Sequence, residues 1–177
     1  MRGAVEFAQH MKLVPTLIRS VIAATIALAF SAHAEIDSKT AFARMKSLSG
    51  DWQGPKMMGK RCDVNYRVIA GGSAVLETCF ANTPMEMVSV YYPTGKTLAM
   101  THYCMLGNQP RMKLNLKKST ADTLVFDFAG GDNIKTTKMN MHSTTLHFVG
   151  KNKIQSTCTG EENGKRGQTH TALFTRV

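Results

Sequence analysis

The sequence of 177 residues lacks the short motifs by which many enzymes are recognised. It contains no Gly-x-Ser-x-Gly elbow, no phosphate-binding P-loop and no dinucleotide-binding glycine pattern. It also lacks His-Glu-x-x-His and paired Cys-x-x-Cys motifs, which are typical zinc signatures. Most carboxylates fall in polar turns or on polar faces; Glu77 is the exception, because it shares a strand face with Val75 and Cys79. We therefore expect a non-enzymatic protein with no catalytic residue, no metal ligands and no cofactor.

A hydrophobic run long enough to span a bilayer is also missing. The apolar stretch VIAATIALAF (residues 21–30) is too short for that role. It follows the basic residues Lys12 and Arg19 and precedes Ala32 and Ala34, which form the A-x-A pattern that signal peptidase reads. This arrangement predicts a cleaved signal peptide over residues 1–34.

The mature chain would then be residues 35–177, a length suited to one domain with one core. Translation from Met11 would also leave a signal peptide of ordinary length. The first cysteine, Cys62, lies far beyond the cleavage site, so no lipidated cysteine is available there. We expect a periplasmic or secreted protein.

Acidic residues are few: the chain has 12 Asp and Glu against 22 Lys and Arg. Removal of residues 1–34 takes away three basic residues and one acidic residue, which leaves a net charge of +8. A basic chain can bind nucleic acid, but an exported one does not meet it, so we expect no nucleic-acid partner. The basic residues are scattered, as on solvated faces and turns; attraction to anionic envelope lipid or to an acidic ligand is the alternative. We expect a monomer.

Residues 36–48 carry a helical pattern, with Ala41, Phe42, Met45 and Leu48 at helical spacing. Asp37 or Ser38 is placed to cap the start of this helix. The pattern predicts one short helix near the start of the mature chain.

From Asp51 onward the sequence has the pattern of short antiparallel strands. Turn signals arrive about every ten residues, and the segments between them tend to alternate. In residues 61–69, one face carries Cys62, Val64, Tyr66 and Val68. About ten hairpin-connected strands, without linkers or repeats, predict an all-β fold: an up-and-down antiparallel β-barrel with one short N-terminal helix. A β-sandwich is the alternative topology. A closed barrel of this size can hold a small ligand.

The cysteines Cys62, Cys79, Cys104 and Cys158 all lie in the mature chain. An even number in an oxidising compartment favours disulfides over metal or nucleophilic roles. A two-residue turn near Ala70 and Gly71 would place Cys62 opposite Cys79, which predicts a cross-strand disulfide. Cys104 and Cys158 would then pair by elimination; otherwise Cys104 is a free thiol.

The segment THYCMLGNQPRM (residues 101–112) holds the most suggestive polar residues. Its strand has one apolar face that should point inward and carry His102 and Cys104 into the barrel, whereas Tyr103 points the other way. Arg111 follows at the rim, where it could meet an acidic ligand. Seven residues are our candidates for ligand contacts: His102, Cys104, Arg111 and His142 as polar groups, and Met100, Tyr66 and Trp52 as apolar wall.

Methionine suggests an alternative to simple ligand binding. The pairs Met85/Met87 and Met139/Met141 each place two thioethers on one strand face, and Cu(I) is a suitable soft partner for an exported protein. Copper handling would require His102, His142 and a methionine to converge. Methionines are equally good core fillers.

Several segments together resemble a group of uncharacterised bacterial lipocalin-like proteins. They are LSGDWQG, YRVIAGGSAVLET, THYCMLGNQPRM, FDFAGGDN, MHSTTLHF and the closing TALFTRV. The resemblance covers most of residues 45–177, and Gly50-Asp51-Trp52 approximates the Gly-x-Trp signature of lipocalins. The chain is also distantly similar to calycin-type barrels, which bind small hydrophobic ligands, and to nitrobindin-like barrels, which bind haem through a histidine. The resemblance implies a barrel with an interior cavity.

Three functions remain open from the sequence. The first is an exported binding module for a small hydrophobic or amphipathic molecule, which predicts an open cavity with one polar spot. The second is copper or haem handling through His102, His142 and methionines. The third is a structural envelope protein, which predicts a barrel filled by its own side chains.

Overall fold

The computed structural model describes residues 36–57, 59–135 and 138–177. The signal peptide predicted over residues 1–34 lies outside these ranges. The described part has one α-helix, α1 (Ser38–Ser47), and a short 3-10 turn at Ala70–Gly72. Its strands are β1 (Gly50–Gln53), β2 (Lys56–Met57), β3 (Lys60–Arg61), β4 (Val64–Ile69), β5 (Ala74–Cys79), β6 (Met87–Pro93), β7 (Leu98–Tyr103), β8 (Gln109–Leu114), β9 (Thr123–Asp132), β10 (Asn140–Phe148), β11 (Lys153–Glu162) and β12 (Lys165–Arg176). No helix within these ranges has the length and hydrophobicity needed to cross a membrane.

Ten of the strands form one closed antiparallel barrel. Strands β4 to β12 each pair with the next strand along the chain, and β1 closes the barrel between β12 and β4. Strands β2 and β3 form a separate hairpin between β1 and β4. The predicted all-β fold, an up-and-down barrel with a single short helix, is confirmed. All ten strands belong to one closed sheet, which excludes the sandwich alternative.

Alternation along the strands fills the barrel interior. In β7, Leu98, Met100 and His102 are buried, and they alternate with partly or fully exposed residues. The same period of two places Leu124 and Phe126 of β9 inside. The core is therefore made of the inward faces of the strands, as the sequence pattern predicts.

Helix α1 closes one end of the barrel. The Asp37 side chain caps the helix, because its Oδ1 accepts a hydrogen bond from the Thr40 backbone N–H at 2.6 Å. The helix packs against β6 and β7 and buries Ala41, Phe42 and Met45. We call this the closed end; the opposite end, which carries the β2–β3 hairpin and the β5–β6, β7–β8, β9–β10 and β11–β12 connections, is the open end.

Trp52 and Arg176 join the helix to the barrel. The Trp52 indole N–H donates to the carbonyl of Leu48 at 2.7 Å. Leu48 is the residue that follows the last turn of α1. The Arg176 guanidinium stacks over the Trp52 ring at 4.3 Å and donates to the carbonyls of Ser47 and Ser49, both at 2.7 Å. These contacts satisfy carbonyls that the end of a helix leaves without partners.

The β4–β5 turn differs from the sequence prediction, and the difference separates two cysteines. The turn spans residues 70–73, four residues instead of two, so that Ile69 pairs with Ala74 and Val64 pairs with Cys79. Cys62 lies before β4, two residues from the position opposite Cys79. The predicted Cys62–Cys79 disulfide is therefore wrong, and both residues are free thiols.

The predicted Cys104–Cys158 disulfide is also wrong. Cys104 lies in the β7–β8 turn, and Cys158 lies on β11. Three strands, β8 to β10, separate β7 from β11 in the sheet, so the two cysteines cannot be cross-strand neighbours. Both are free thiols.

We predict that Arg176→Ala destabilises the fold, because it removes two charged hydrogen bonds and the guanidinium stacked on Trp52. The expected loss in the free energy of unfolding is about 2 kcal/mol, measured by urea denaturation. Arg67→Ala, which changes an exposed arginine of β4, is the matched control and should cost under about 0.5 kcal/mol. Equal losses in the two variants would contradict the proposed clamp.

Candidate functional site

An interior cavity of about 270 Å³ opens at the open end of the barrel. Its walls come from β4 to β7, from β10 to β12 and from the connections at that end. Met57, Phe80, Leu106 and Met139 contribute from four different connections and surround the mouth. The barrel is therefore not completely filled by its own side chains.

Sulfur-containing side chains make up much of the wall. The cavity is lined by all four cysteines and by Met57, Met87, Met139 and Met141. These groups are weakly polar and polarisable, so they line the cavity much as hydrocarbon side chains would.

Burial holds Cys62, Cys79 and Cys158 in their thiol form. Desolvation raises the pKa of Cys62 to about 11, and it also raises the pKa of Cys79 and of Cys158. Nearby Glu77 adds to the rise in the pKa of each. Cys158 lies 3.3 Å from the Thr144 hydroxyl, its cross-strand neighbour, which lowers its pKa in part. At neutral pH these thiols are uncharged, whereas thiolates are the nucleophilic and metal-binding form.

Glu77 is the polar centre of the cavity wall. It lies half-buried on β5, and the Tyr91 hydroxyl donates a hydrogen bond to its carboxyl group at 2.5 Å. Tyr66 lies directly opposite Glu77 on β4 and interacts with the same carboxyl group. Desolvation raises the pKa of Glu77, and the two tyrosine hydroxyls offset part of that rise. The cavity thus contains one acid whose charge is disfavoured by its surroundings.

His102 is a neutral interior histidine. Its side chain is buried, and its Nδ1 lies 3.0 Å from the hydroxyl of Ser89, the residue opposite it on β6. Desolvation lowers the pKa of His102 to about 4. The imidazole is therefore uncharged at neutral pH and adds a weakly polar surface to the cavity.

The cavity wall carries hydrogen-bonding side chains but no permanent positive charge. Ser156, Thr159 and Gln168 are among the polar residues that line it, and no lysine or arginine is among the described ones. Asn140 lines it near the mouth, and its buried Oδ1 has no hydrogen-bond partner in the described part of the chain. Glu77 therefore presents its carboxyl group to the cavity without a lysine or arginine beside it.

The structure brings together three of the seven candidate ligand residues. Tyr66, His102 and Cys104 all line the cavity. Cys104 does so from the β7–β8 turn, because β7 ends at Tyr103. Tyr103 points outward and is exposed.

The other four candidates lie elsewhere. Trp52 and Met100 are buried in the barrel core without lining the cavity; Trp52 contacts the end of α1. Arg111 is exposed on β8, with its guanidinium 3.7 Å from Asp132. His142 is half-exposed beside an outer hollow, where its ring stacks on Phe128 at 4.9 Å.

A β-bulge explains the position of His142. Met141 pairs with Gly160 while Ser143 pairs with Thr159, so His142 is an extra residue that shifts the alternation of β10. Its Nδ1 lies 3.3 Å from a carboxylate oxygen of Glu161.

The copper or haem alternative requires His102 and His142 to converge. In the structure they do not. Within the described residues, no group of three or more His, Cys, Asp or Glu side chains is spaced to hold a metal ion.

Glu77 is a cavity residue that is absent from the seven candidates, although the sequence indicates its position. Glu77 stands on the same face as Val75 and Cys79, and an acid on an apolar strand face indicates a buried polar site. Cys62, Cys79 and Cys158 were assigned to disulfides, although their alternation with apolar residues equally fits a cavity wall. Met57, Phe80 and Leu106 lie in connections, where alternation carries no information.

No protein-family model matches the sequence, and a search of curated proteins finds no similar chain. The resemblance to bacterial lipocalin-like proteins stays a prediction.

We predict that His102 makes stability depend on pH below neutrality. A folded-state pKa of about 4 against an ordinary 6.5 means that the unfolded chain takes up the proton first. The stabilisation is therefore complete above pH 6.5 and is lost as the pH falls from 6.5 toward 4. From pH 7 to 5, the wild type should lose about 2 kcal/mol more than His102→Gln in urea unfolding. His147→Gln, at an exposed histidine, should leave the wild-type dependence unchanged; identical slopes for all three proteins would contradict the assignment.

We predict the opposite pH dependence for Glu77. Because its pKa is raised in the folded state, its ionisation costs stability as the pH rises from 4.5 through that raised value. Glu77→Gln should therefore gain stability relative to the wild type between pH 5 and 8, measured by urea unfolding. Glu162→Gln, on the exposed end of β11, is the control, and its stability should depend on pH as that of the wild type does.

Proposed function

We propose that this protein is a non-catalytic binding module that holds a small, mostly apolar molecule in its interior cavity. The observation that carries the proposal is the cavity wall itself, which combines thiols, thioethers and aromatic rings with a few polar side chains, the Glu77 carboxyl group among them. Ligand sites are typically apolar with a few well-placed polar groups. The volume, about 270 Å³, lies just below the usual range of roughly 300–1,000 Å³, which favours a small ligand.

The polar atoms of the wall favour an uncharged ligand with a hydrogen-bond donor. Glu77 offers a carboxyl group, and no lysine or arginine lines the described wall to neutralise a ligand carboxylate. A ligand hydroxyl or amine would donate a hydrogen bond to Glu77. A ligand carboxylate would have to lose its hydration without gaining a cation. We therefore propose a neutral or basic amphiphile in preference to a fatty acid.

Two features support binding over catalysis. The three deeper thiols have raised pKa values, so a thiolate nucleophile is disfavoured. His102 is turned toward the Ser89 hydroxyl through Nδ1, and Ser89 is buried without lining the cavity.

We also propose that the chain acts outside the cytoplasm, on the basis of its first 34 residues. We propose that it acts there as a monomer. Free thiols are compatible with an oxidising compartment when they are held protonated, because oxidation proceeds fastest through the thiolate. Amino-terminal sequencing of the protein from a periplasmic fraction tests this point: mature chains should begin at Glu35.

The binding proposal is tested with the neutral fluorophore N-phenylnaphthylamine. We predict saturable binding that decanol displaces and that decanoate displaces at least about tenfold more weakly, because no lysine or arginine lines the described wall to pair with a carboxylate. Ala172→Leu should abolish binding, since Ala172 lines the cavity and is buried.

Thr171→Leu is the matched control, because Thr171 is the adjacent residue on the outer face of β12. It should bind the fluorophore as the wild type does. Circular dichroism of both variants checks that the fold is kept. Binding that survives in folded Ala172→Leu, or that is lost equally in both variants, would refute the cavity as the site.

A further inference from the structure

Exposed apolar side chains are concentrated at the mouth of the cavity. Tyr103, Met105, Leu106 and Met139 are 37% to 52% exposed, and they make up half of the large exposed hydrophobic residues in the described part of the chain. We call these four residues the mouth patch. The other four, Val68, Val149, Leu173 and Val177, lie apart from it on other elements. A clustered set of exposed apolar residues indicates an interaction surface, whereas single ones do not.

The mouth patch is built on two connections that are fixed to each other. The buried Asn108 side chain, at the end of the β7–β8 turn, donates a hydrogen bond from Nδ2 to the Met139 carbonyl at 2.9 Å. The turn itself is closed by the Gly107 N–H, which donates to the Cys104 carbonyl at 2.9 Å. Met105 and Leu106 are therefore held beside Met139 by hydrogen bonds. Exposure of these side chains is a property of an ordered surface.

The patch continues into the cavity wall. Leu106 and Met139 belong to both, since they are partly exposed and also line the cavity. Met57, from the β2–β3 hairpin, lines the cavity at the same mouth. An apolar molecule at the patch would thus meet apolar surface without interruption on its way to the interior.

Three lysines lie at the same end of the barrel as the patch. Lys60 pairs with Met57 across the β2–β3 hairpin, Lys138 adjoins Met139, and Lys165 begins β12 opposite Glu162. All three lysines are exposed. Exposed apolar side chains with lysines at the same end have the composition of a surface that inserts into the headgroup region of an anionic membrane.

We infer that the open end of the barrel docks on an anionic lipid surface, with the mouth patch inserted among the headgroups and the lysines of this end against their phosphates. The charge of the chain supports this occupant over a second copy. Two copies joined through this end would bring these lysines together, and like charges across an interface disfavour association. The net positive charge attracts an anionic surface from a distance, and the mouth patch selects the end that makes contact.

Docking at this end would place the cavity mouth against the lipid. A ligand could then pass between bilayer and cavity without crossing water, which is the costly step for an apolar molecule. The docking surface does not depend on the cavity being occupied, so its test is separate from that of the proposed function.

The test is flotation of the mature protein with vesicles of phosphatidylglycerol and phosphatidylethanolamine, with phosphatidylcholine vesicles as the neutral comparison. We expect binding to the anionic vesicles only, weakened as salt rises from about 0.05 to 0.5 M. Met105→Ser combined with Leu106→Ser should reduce the partition coefficient at least about tenfold. Val149→Ser combined with Leu173→Ser, at positions 43% and 49% exposed outside the patch, should leave it unchanged.

A second pair of variants separates oriented docking from general attraction. The first double variant, Lys60→Glu with Lys165→Glu, lies at the open end. The second, Lys151→Glu with Lys153→Glu, changes the net charge equally but lies at the closed end. We expect the first pair to weaken binding about tenfold more than the second. Equal losses would overturn the proposal, as would vesicle binding that survives Met105→Ser with Leu106→Ser.

Sedimentation velocity distinguishes the other occupant of the patch. A wild-type dimer that the Met105→Ser and Leu106→Ser variant dissociates would assign the patch to a second copy and overturn the lipid surface. Circular dichroism verifies that this variant is folded. If it is not, Tyr103→Ser with Met139→Ser tests the same patch, with the same expected loss.

Discussion

A closed barrel of ten strands encloses more space than its inward side chains can fill, and the rest of this structure depends on how that space is divided. Eight strands already leave an interior that side chains just occupy. Here α1 supplies the missing bulk at one end, where Phe42 and Met45 join the same hydrophobic core as Trp52. The other end has no such plug among the described residues, and the cavity lies there. The packed core and the cavity thus lie at opposite ends of one barrel.

The chemistry of the cavity follows from the same burial. An enclosed apolar site disfavours every charged form, which raises the pKa of the thiols and of Glu77 and lowers the pKa of His102. Two tyrosines lower the free-energy cost of ionising Glu77. Tyr91 donates a hydrogen bond to its carboxyl group, and Tyr66 lies opposite it on β4. The result is a wall with polarisable sulfur and fixed acceptors but few charges. Groups that would be reactive in water become, in this setting, part of a binding surface.

Periodicity predicted the barrel, the helix and the direction of many side chains, because a strand in a closed sheet has one face inside. Tyr66 and His102 were placed correctly in the interior for that reason. Alternation specifies a face but not a depth along the barrel axis, so Trp52 and Met100 point inward yet lie in the core rather than along the cavity. It also fails where the ladder is irregular. One extra residue in the β10 bulge moves His142 away from the cavity, and two extra residues in the β4–β5 turn move Cys62 away from Cys79.

Charge and cavity chemistry in this protein act on different parts of an amphiphile. The outer surface is basic, so it attracts anionic molecules over a distance of about one Debye length. The interior offers acceptors and sulfur, so it favours a neutral or donating group. An anionic lipid is therefore suited to the lysines outside the mouth and poorly suited to the space within. A neutral amphiphile is suited to the space within and gains nothing from the lysines. Because opposite preferences meet at one opening, the same end of the barrel can contact one class of lipid and admit another.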